Sequence, residues 1–420
     1  MGLLEQDGGH RLRHGEADLM LPSIMDVDVR GKRVLVRADL NVPVDEGVVT
    51  DATRINRFAA GMKPLLERGA RLVILTHFGR PKVNEMNPAY SVDKLRPALA
   101  QALGTSVVFS DVCGEESAVI LSKRLKDGEV LLCENLRYNP GETANDPAFA
   151  AALAQLGDVY VNDAFSCAHR SHASTEALAR MLPAYAGPLL IEEMEALTSA
   201  LEAPQQPAVA IVGGAKVSSK IAVLKNLVMK LDHVIIGGGM ANTFLYADGA
   251  PMGRSLHEAD QVETVQEIRK LADKAGCQIH LPEDVVIATE FAAGAENRVV
   301  GAHEYTAGAM ILDAGPRSLS NFQRVLTECR TILWNGPLGA FEIPPFDHAT
   351  NQLARTAAAV TRQGRATSVA GGGDTVAALN GAAVTQDFTY VSTAGGAFLE
   401  WLEGKTLPGI AALQGAAKAA

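Results

Sequence analysis

Short apolar runs alternate with helix-period stretches along almost all of this chain, and that alternation restricts its fold more than any other feature. In the first half the runs are residues 33–37, 71–76, 106–109, 130–133 and 159–162, with helical stretches such as 54–68 and 91–103 between them. In the second half they are residues 208–212, 233–236, 278–281, 331–334, 366–370 and 389–391. Strands separated by helices read as βαβ units, so the expected fold class is α/β, with parallel sheets flanked by helices. A chain of 420 residues exceeds one ordinary core and predicts two domains. Residues 190–203 are helical in period and closed by Pro204 and Pro207, which makes them the natural connection between the halves.

Three strand-like runs of the second half end in glycine. Ile211-Val212 leads into Gly213-Gly214-Ala215-Lys216, Ile235-Ile236 into Gly237-Gly238-Gly239, and Val369-Ala370 into Gly371-Gly372-Gly373-Asp374-Thr375. Glycine permits close backbone approach to a ligand, and a following helix offers free N–H groups to an anion. Three such loops point to one phosphate-bearing ligand, with Asp374 placed to hold Mg²⁺ beside it. Tight turns made for packing are the plain alternative. Lys216 and Lys220 are four apart and expected to share a face of the first helical turn, although the spacing is not that of a Walker loop. Trp334–Glu342 supplies Asn335 and, for a ribose hydroxyl pair, Glu342, while Thr393-Ala394-Gly395-Gly396 offers one more helix start.

In the first half, polar and basic residues collect just after the strands. Arg37-Ala38-Asp39-Leu40-Asn41, His77-Phe78-Gly79-Arg80, Glu134-Asn135-Leu136-Arg137 and Asp163 through His169-Arg170 would converge at the C-terminal sheet edge, where open α/β sheets bind ligands. Arg54, at a helix start, would join them. Single arginines are usually surface residues in ion pairs, but such a cluster suits a small, highly anionic substrate. Asp39 and Asp163 read as partners that orient these arginines, and His77 as a hydrogen-bonding group.

Composition excludes several classes. The net charge of −10 argues against a broad nucleic-acid surface. No apolar stretch approaches a membrane span, and five scattered cysteines without a C-x-x-C pair suit a reduced, cytoplasmic protein. Residues 1–22 are polar and read as a disordered extension. A dinucleotide-dependent dehydrogenase would need G-x-G-x-x-G after a first strand, which is absent; a non-catalytic phospho-ligand protein would be expected to lack some of Arg54, Lys216, Lys220 and Asp374.

Taken in order, Val36–Pro43, His77–Pro81, Asp163–Arg170, Gly213–Lys220, Trp334–Glu342 and Gly371–Thr375 resemble the phosphoglycerate kinase family, from about residue 24 to the C-terminus. The resemblance implies two Rossmann-like domains: residues 23–189 for 3-phosphoglycerate or 1,3-bisphosphoglycerate and 204–405 for Mg-ATP or Mg-ADP. A hinge helix (190–203) would join them, and a tail (406–420) would return to the first. It implies substrate contacts from Asp39, Asn41, Arg54, His77, Phe78, Gly79, Arg80, Arg137 and Arg170. Nucleotide contacts would come from Gly214, Lys216, Lys220, Gly237, Gly238, Asn335, Glu342, Gly372, Gly373, Asp374 and Thr375, with Asp374 at the metal. Arg54, Lys216, Gly373 and Gly396 would surround the phosphoryl group in flight. A monomer is expected. Ala394 departs from the glycine more usual in the family and would be strained if its φ were positive.

Overall fold

The computed structural model describes residues 21–82, 85–304 and 308–419. The expected extension, residues 1–22, lies almost wholly outside these, but Pro22 is in place, its carbonyl accepting from the Ala186 amide at 2.7 Å. The chain divides into two units: one takes in residues up to Ala164, Arg170–Ile191 and the stretch from Pro408, the other Phe165–His169 and Glu192–Leu407.

The first unit contains β1 (Arg33–Arg37), the small hairpin β2 (Val44–Asp45) and β3 (Val48–Val49), β4 (Arg71–Leu75), β5 (Val107–Ser110), β6 (Val130–Cys133), β7 (Val159–Asn162) and β8 (Ala184–Ala186). Its main sheet is parallel, in the order β5-β6-β4-β1-β7-β8. Its central strands are buried on both faces, which is why they read as continuous apolar runs rather than alternating ones. Val34, Val36, Leu72, Ile74 and Val161 form one core with Ile55, Phe58, Met62 and Leu65 of the helix Thr53–Glu67. The 91–103 stretch begins as a tight 3₁₀ turn, Val92–Leu95, before the α-helix Arg96–Leu103, which Gly104 ends at φ 74°.

The second unit contains β9 (Ala208–Val212), β10 (His233–Ile236), β11 (Gln278–His280), β12 (Asp284–Ala288), β13 (Asn297–Gly301), β14 (Met310–Ala314), β15 (Thr331–Asn335), β16 (Thr367–Gly371) and β17 (Tyr390–Ser392). The parallel sheet runs β11-β10-β9-β15-β16-β17. Chain order reverses direction across the sheet at β9, so a crevice opens between the loops that follow β9 and β15. Val209, Ile211, Ile332 and Trp334 pack on Phe322 and Leu326 of helix Pro316–Glu328 and on Leu353 and Ala357 of helix His348–Arg362.

Parallel sheets alone do not account for this unit. β12, β13 and β14 form an antiparallel sheet with a core of its own, including Val285, Ile287, Leu245 and Met252. The sequence reading passed over it because no helix separates these three strands and none ends in a glycine triplet. The connecting helix starts at Pro188, two residues earlier than expected, and passes from α geometry (Pro188–Leu197) into a π turn (Thr198–Glu202). Pro408–Ala419 is helical and belongs to the first unit. No described helix is long and apolar enough to cross a membrane.

Candidate functional site

In the first unit the loops after β1, β4, β6 and β7 carry most of the expected basic residues. Arg54, in the first turn of its helix, donates through Nη1 to Asp39 Oδ2 at 3.0 Å and to the Asn41 carbonyl at 3.2 Å. Asn41 Oδ1 accepts from the Gly79 amide at 2.9 Å, and Arg137 Nη1 donates to the Gly79 carbonyl. Asp39, Asn41, Arg54, Gly79 and Arg137 therefore form one connected group. Arg80 is exposed beside them, and Phe78 turns its ring toward the core. Burial, then Arg37, Arg137, Arg170 and His172, push His77 far below the ordinary histidine pKa. His77 is thus neutral, and the positive charge of the cluster rests on arginine.

Two residues do not stand where the sequence placed them. Arg37 lies beneath the surface at 1% exposure, donating to Ser174 Oγ at 2.9 Å and lying 3.1 Å from His77 Nδ1. Ser174 Oγ in turn donates to the buried carboxylate of Glu142 at 2.6 Å. This Glu142–Ser174–Arg37–His77 chain fixes the floor of the cluster and is a positioning device. Asp163 Oδ1 accepts from the Leu189 and Leu190 amides at 2.8 and 3.3 Å, so it caps the connecting helix. His169 belongs to the second unit.

The sequence reading gave no role to Asn135 and Glu134. Asn135 donates to the Phe78 and Tyr90 carbonyls at 2.7 and 2.8 Å and accepts from the Phe78 and Arg137 amides. Glu134 accepts from Ser91 Oγ at 2.6 Å and from the Val92 amide at 2.9 Å. Together they tie three loops into one rigid surface.

In the second unit, the loops after β9, β10, β15 and β16 meet at the crevice. Lys220 Nζ donates to the Gly213 carbonyl at 2.7 Å, the Asn335 carbonyl at 3.0 Å and Asn335 Oδ1 at 2.6 Å. Asn335 Nδ2 reaches the Gly371 carbonyl at 2.8 Å, and Thr375 Oγ1 accepts from the Gly336 amide at 2.8 Å. Both side chains are buried, so Asn335 and Thr375 are struts that set the loops. The two lysines do not share a helical face: Lys216 precedes a 3₁₀ turn and is exposed, whereas Lys220 caps the helix Ile221–Lys230 and points inward. Burial lowers the Lys220 pKa to about 8, with Asp374 pulling it back up.

The glycines sort by what a side chain would meet. A Cβ on Gly213 would lie 1.7 Å from the Pro337 carbonyl oxygen, and one on Gly237 would lie 2.6 Å from Leu338 Cα. These positions need glycine for loop packing. Gly238 and Gly372 sit at φ 67° and 99°. Gly373 opens the helix Gly373–Gly381 with nothing within 4 Å of its Cβ position, so a side chain there would meet open space. Gly213→Ala should therefore lower unfolding stability by about 3 kcal/mol or more, and Gly373→Ala by less than about 0.5 kcal/mol, as measured by urea denaturation. Equal losses would remove this distinction.

Beside these loops lies a cavity of about 390 Å³, lined by Gly214, Gly238, Glu342 and Asp374 and walled by apolar groups that include Leu256, Phe291, Leu312 and Leu338. Part of that wall comes from the antiparallel sheet, where the apolar run Met310-Ile311-Leu312 was the available sequence signal. A pocket with a greasy wall and glycine loops, with Lys220 held behind Gly214, is shaped for a flat base with a phosphate tail. Gly396 lies in the first turn of helix Gly395–Leu402, close to His169. Ala394 takes φ −94°, so the expected strain there does not arise.

Residues 24–405 match the family model described as "Phosphoglycerate kinase". The chain is 58% identical over 387 residues to the phosphoglycerate kinase of Sphingopyxis alaskensis, covering 92% of this chain and 97% of that one. It is 57% identical over 386 residues to that of Methylobacterium radiotolerans, covering 92% and 96%. Among solved structures, phosphoglycerate kinase from Coxiella burnetii superposes with a TM-score of 0.88 at 40% identity, over 94% of this chain and 99% of that one. The Pyrococcus horikoshii enzyme gives 0.75 at 29% identity, over 95% and 100%.

Proposed function

This chain belongs to the phosphoglycerate kinase family, and on that premise we propose that its first unit holds the phosphoglycerate and its second the nucleotide. The reaction is the reversible glycolytic transfer of a phosphoryl group from 1,3-bisphosphoglycerate to ADP, giving 3-phosphoglycerate and ATP. The observation that carries the division of roles is the crevice of the second unit, where four strand-end loops and Asp374 line a cavity with an apolar wall and Lys220 is held just behind Gly214.

The chemistry fits the residues present. The carboxylate of 3-phosphoglycerate is already ionised, so it attacks without a general base. His77 is neutral and would donate or accept a hydrogen bond, leaving Arg54, Arg80, Arg137 and Arg170 to balance the substrate's charge. Arg54, the exposed Lys216 and the amides of Gly373 and Gly396 would face the oxygens that gain charge in flight. Asp374, exposed in the first turn of its helix and near enough to Lys220 to act on it, is a hard oxygen donor suited to Mg²⁺ together with phosphates and water. When bound there, Mg²⁺ would neutralise phosphate charge. Each substrate has its own unit, so transfer requires the two to close, with the helix from Pro188 as hinge, excluding water from the acyl phosphate. Buried Cys133, Cys167, Cys277 and Cys329, none of them in a disulfide, favour a reducing cytoplasm, and one chain supplies every residue invoked, so a monomer suffices.

Glu342, at the exposed rim of the cavity, would accept from the ribose hydroxyls. Glu342→Gln should weaken ADP binding about tenfold by calorimetry and 2′-deoxy-ADP binding distinctly less. Equal losses for both ligands would take Glu342 off the ribose.

A further inference from the structure

The start of β10 and the end of β11 carry two histidines that phosphoryl transfer does not use. The parallel register sets His233 opposite Gln278 and His280 opposite Ile235. Side chains two apart share a face, so His233 and His280 are diagonal neighbours on one face of the sheet. Their ring centroids are 5.2 Å apart at an interplanar angle of 47°, and His233 Nδ1 lies 3.1 Å from His280 Nε2. Both are half-buried rather than sealed, and β11 is an edge strand.

We propose that this pair is a two-histidine site for a borderline transition-metal dication such as Zn²⁺, Ni²⁺ or Cu²⁺, completed by water. Two metal–imidazole bonds of about 2.0–2.1 Å meeting at roughly 95–110° hold their nitrogens about 3.0–3.4 Å apart. The separation of 3.1 Å falls within that bite. Imidazole is the ligand these metals share, and the dication would replace the ring-to-ring hydrogen bond.

The surroundings limit the site to a weak chelate. Burial, and then Asp232, pushes the Cys277 and Cys329 thiols up to about 12, so without metal they are protonated. Asp232 is engaged with the Ala208 amide at 2.7 Å. Arg324 lies near enough to His280 to oppose a cation, and its ion pair with Glu328 at 3.3 Å offsets part of that charge. Among the described residues no group of three or more His, Cys, Asp and Glu converges. A dissociation constant on the order of 10 µM is expected, not the far tighter binding of a four-ligand structural site.

His233 opens β10, whereas the glycine loop at Gly237 follows its other end, and neither histidine lines the nucleotide cavity, although Pro282, two residues past His280, does. The test titrates the metal-stripped full chain at pH 7.5 with Cu²⁺ alone, followed by its visible absorption, and with Zn²⁺ alone, followed by unfolding temperature. One Cu²⁺ per chain should bind, and His233→Gln and His280→Gln should each weaken binding at least tenfold while retaining wild-type kinase turnover. Zn²⁺ at a hundredfold excess over its dissociation constant should raise the wild-type unfolding temperature by about 3 °C or more, and neither variant's. Equal Cu²⁺ affinity in wild type and variants, or no binding up to millimolar metal, would overturn the proposal.

Discussion

Arg54→Ala is expected to lower kcat by about a thousandfold while changing either KM only a few-fold. The reason is geometric. Asp39 and the Asn41 carbonyl hold the guanidinium at 3.0 and 3.2 Å, and its side chain remains about a third exposed, so it is pre-aimed without being used up. A group of this kind matters most when charge spreads over the transferring phosphoryl oxygens, which raises kcat rather than ground-state affinity. Arg54→Lys should recover little, because one ammonium cannot replace the planar fork. Asp39→Asn should cost less than Arg54→Ala, since the Asn41 carbonyl still orients the arginine. Coupled assays in both directions check this. A loss confined to the phosphoglycerate KM would make Arg54 a ground-state binding residue.

Lys220→Ala should weaken ADP binding about a hundredfold and also destabilise the second unit, because this side chain is both a charge and a strut. Its three acceptors use all three ammonium protons, while burial works against the charge and leaves its pKa near 8. Nucleotide phosphates favour the ammonium. Below pH 8 the group is already charged, so affinity should be flat. Above pH 8 binding must take up a proton, so affinity should fall toward tenfold per pH unit. Calorimetry at pH 7, 8 and 9, in buffers of different ionisation enthalpy, reads both effects. Lys220→Met should abolish the pH dependence. If the methionine variant kept the same slope, another group would be responsible.

The sequence disclosed those parts of the protein that are local. Buried parallel strands are continuous apolar runs, and the residues just past their ends, such as Asp39, Arg137 and Gly373, carry the site's chemistry in short motifs. What stayed hidden is held by pairs distant in the chain. Lys220 meets Asn335 across 115 residues and Arg37 meets Ser174 across 137, and neither pairing has a local signal. Hence Arg37 read as one of the cations of the binding patch, although burial makes it a support, and the strut role of Asn335 went unread. The antiparallel sheet β12–β14 was missed because its strands hold only two or three large apolar residues each and pair without intervening helices. With it went the apolar wall of the cavity, including Leu312. The two lysines were misplaced on one helical face because a 3₁₀ turn at Val217–Ser219 intervenes.

The most direct test of the account is turnover of purified wild-type protein with 3-phosphoglycerate and Mg-ATP, coupled to reduction of the 1,3-bisphosphoglycerate formed, with Arg54→Ala and a chelated-metal sample run alongside. The account predicts turnover of about 10 s⁻¹ or faster in the wild type, roughly a thousandfold less in the variant, and none without the dication. Absence of turnover in a folded wild-type protein that still binds ADP would contradict it.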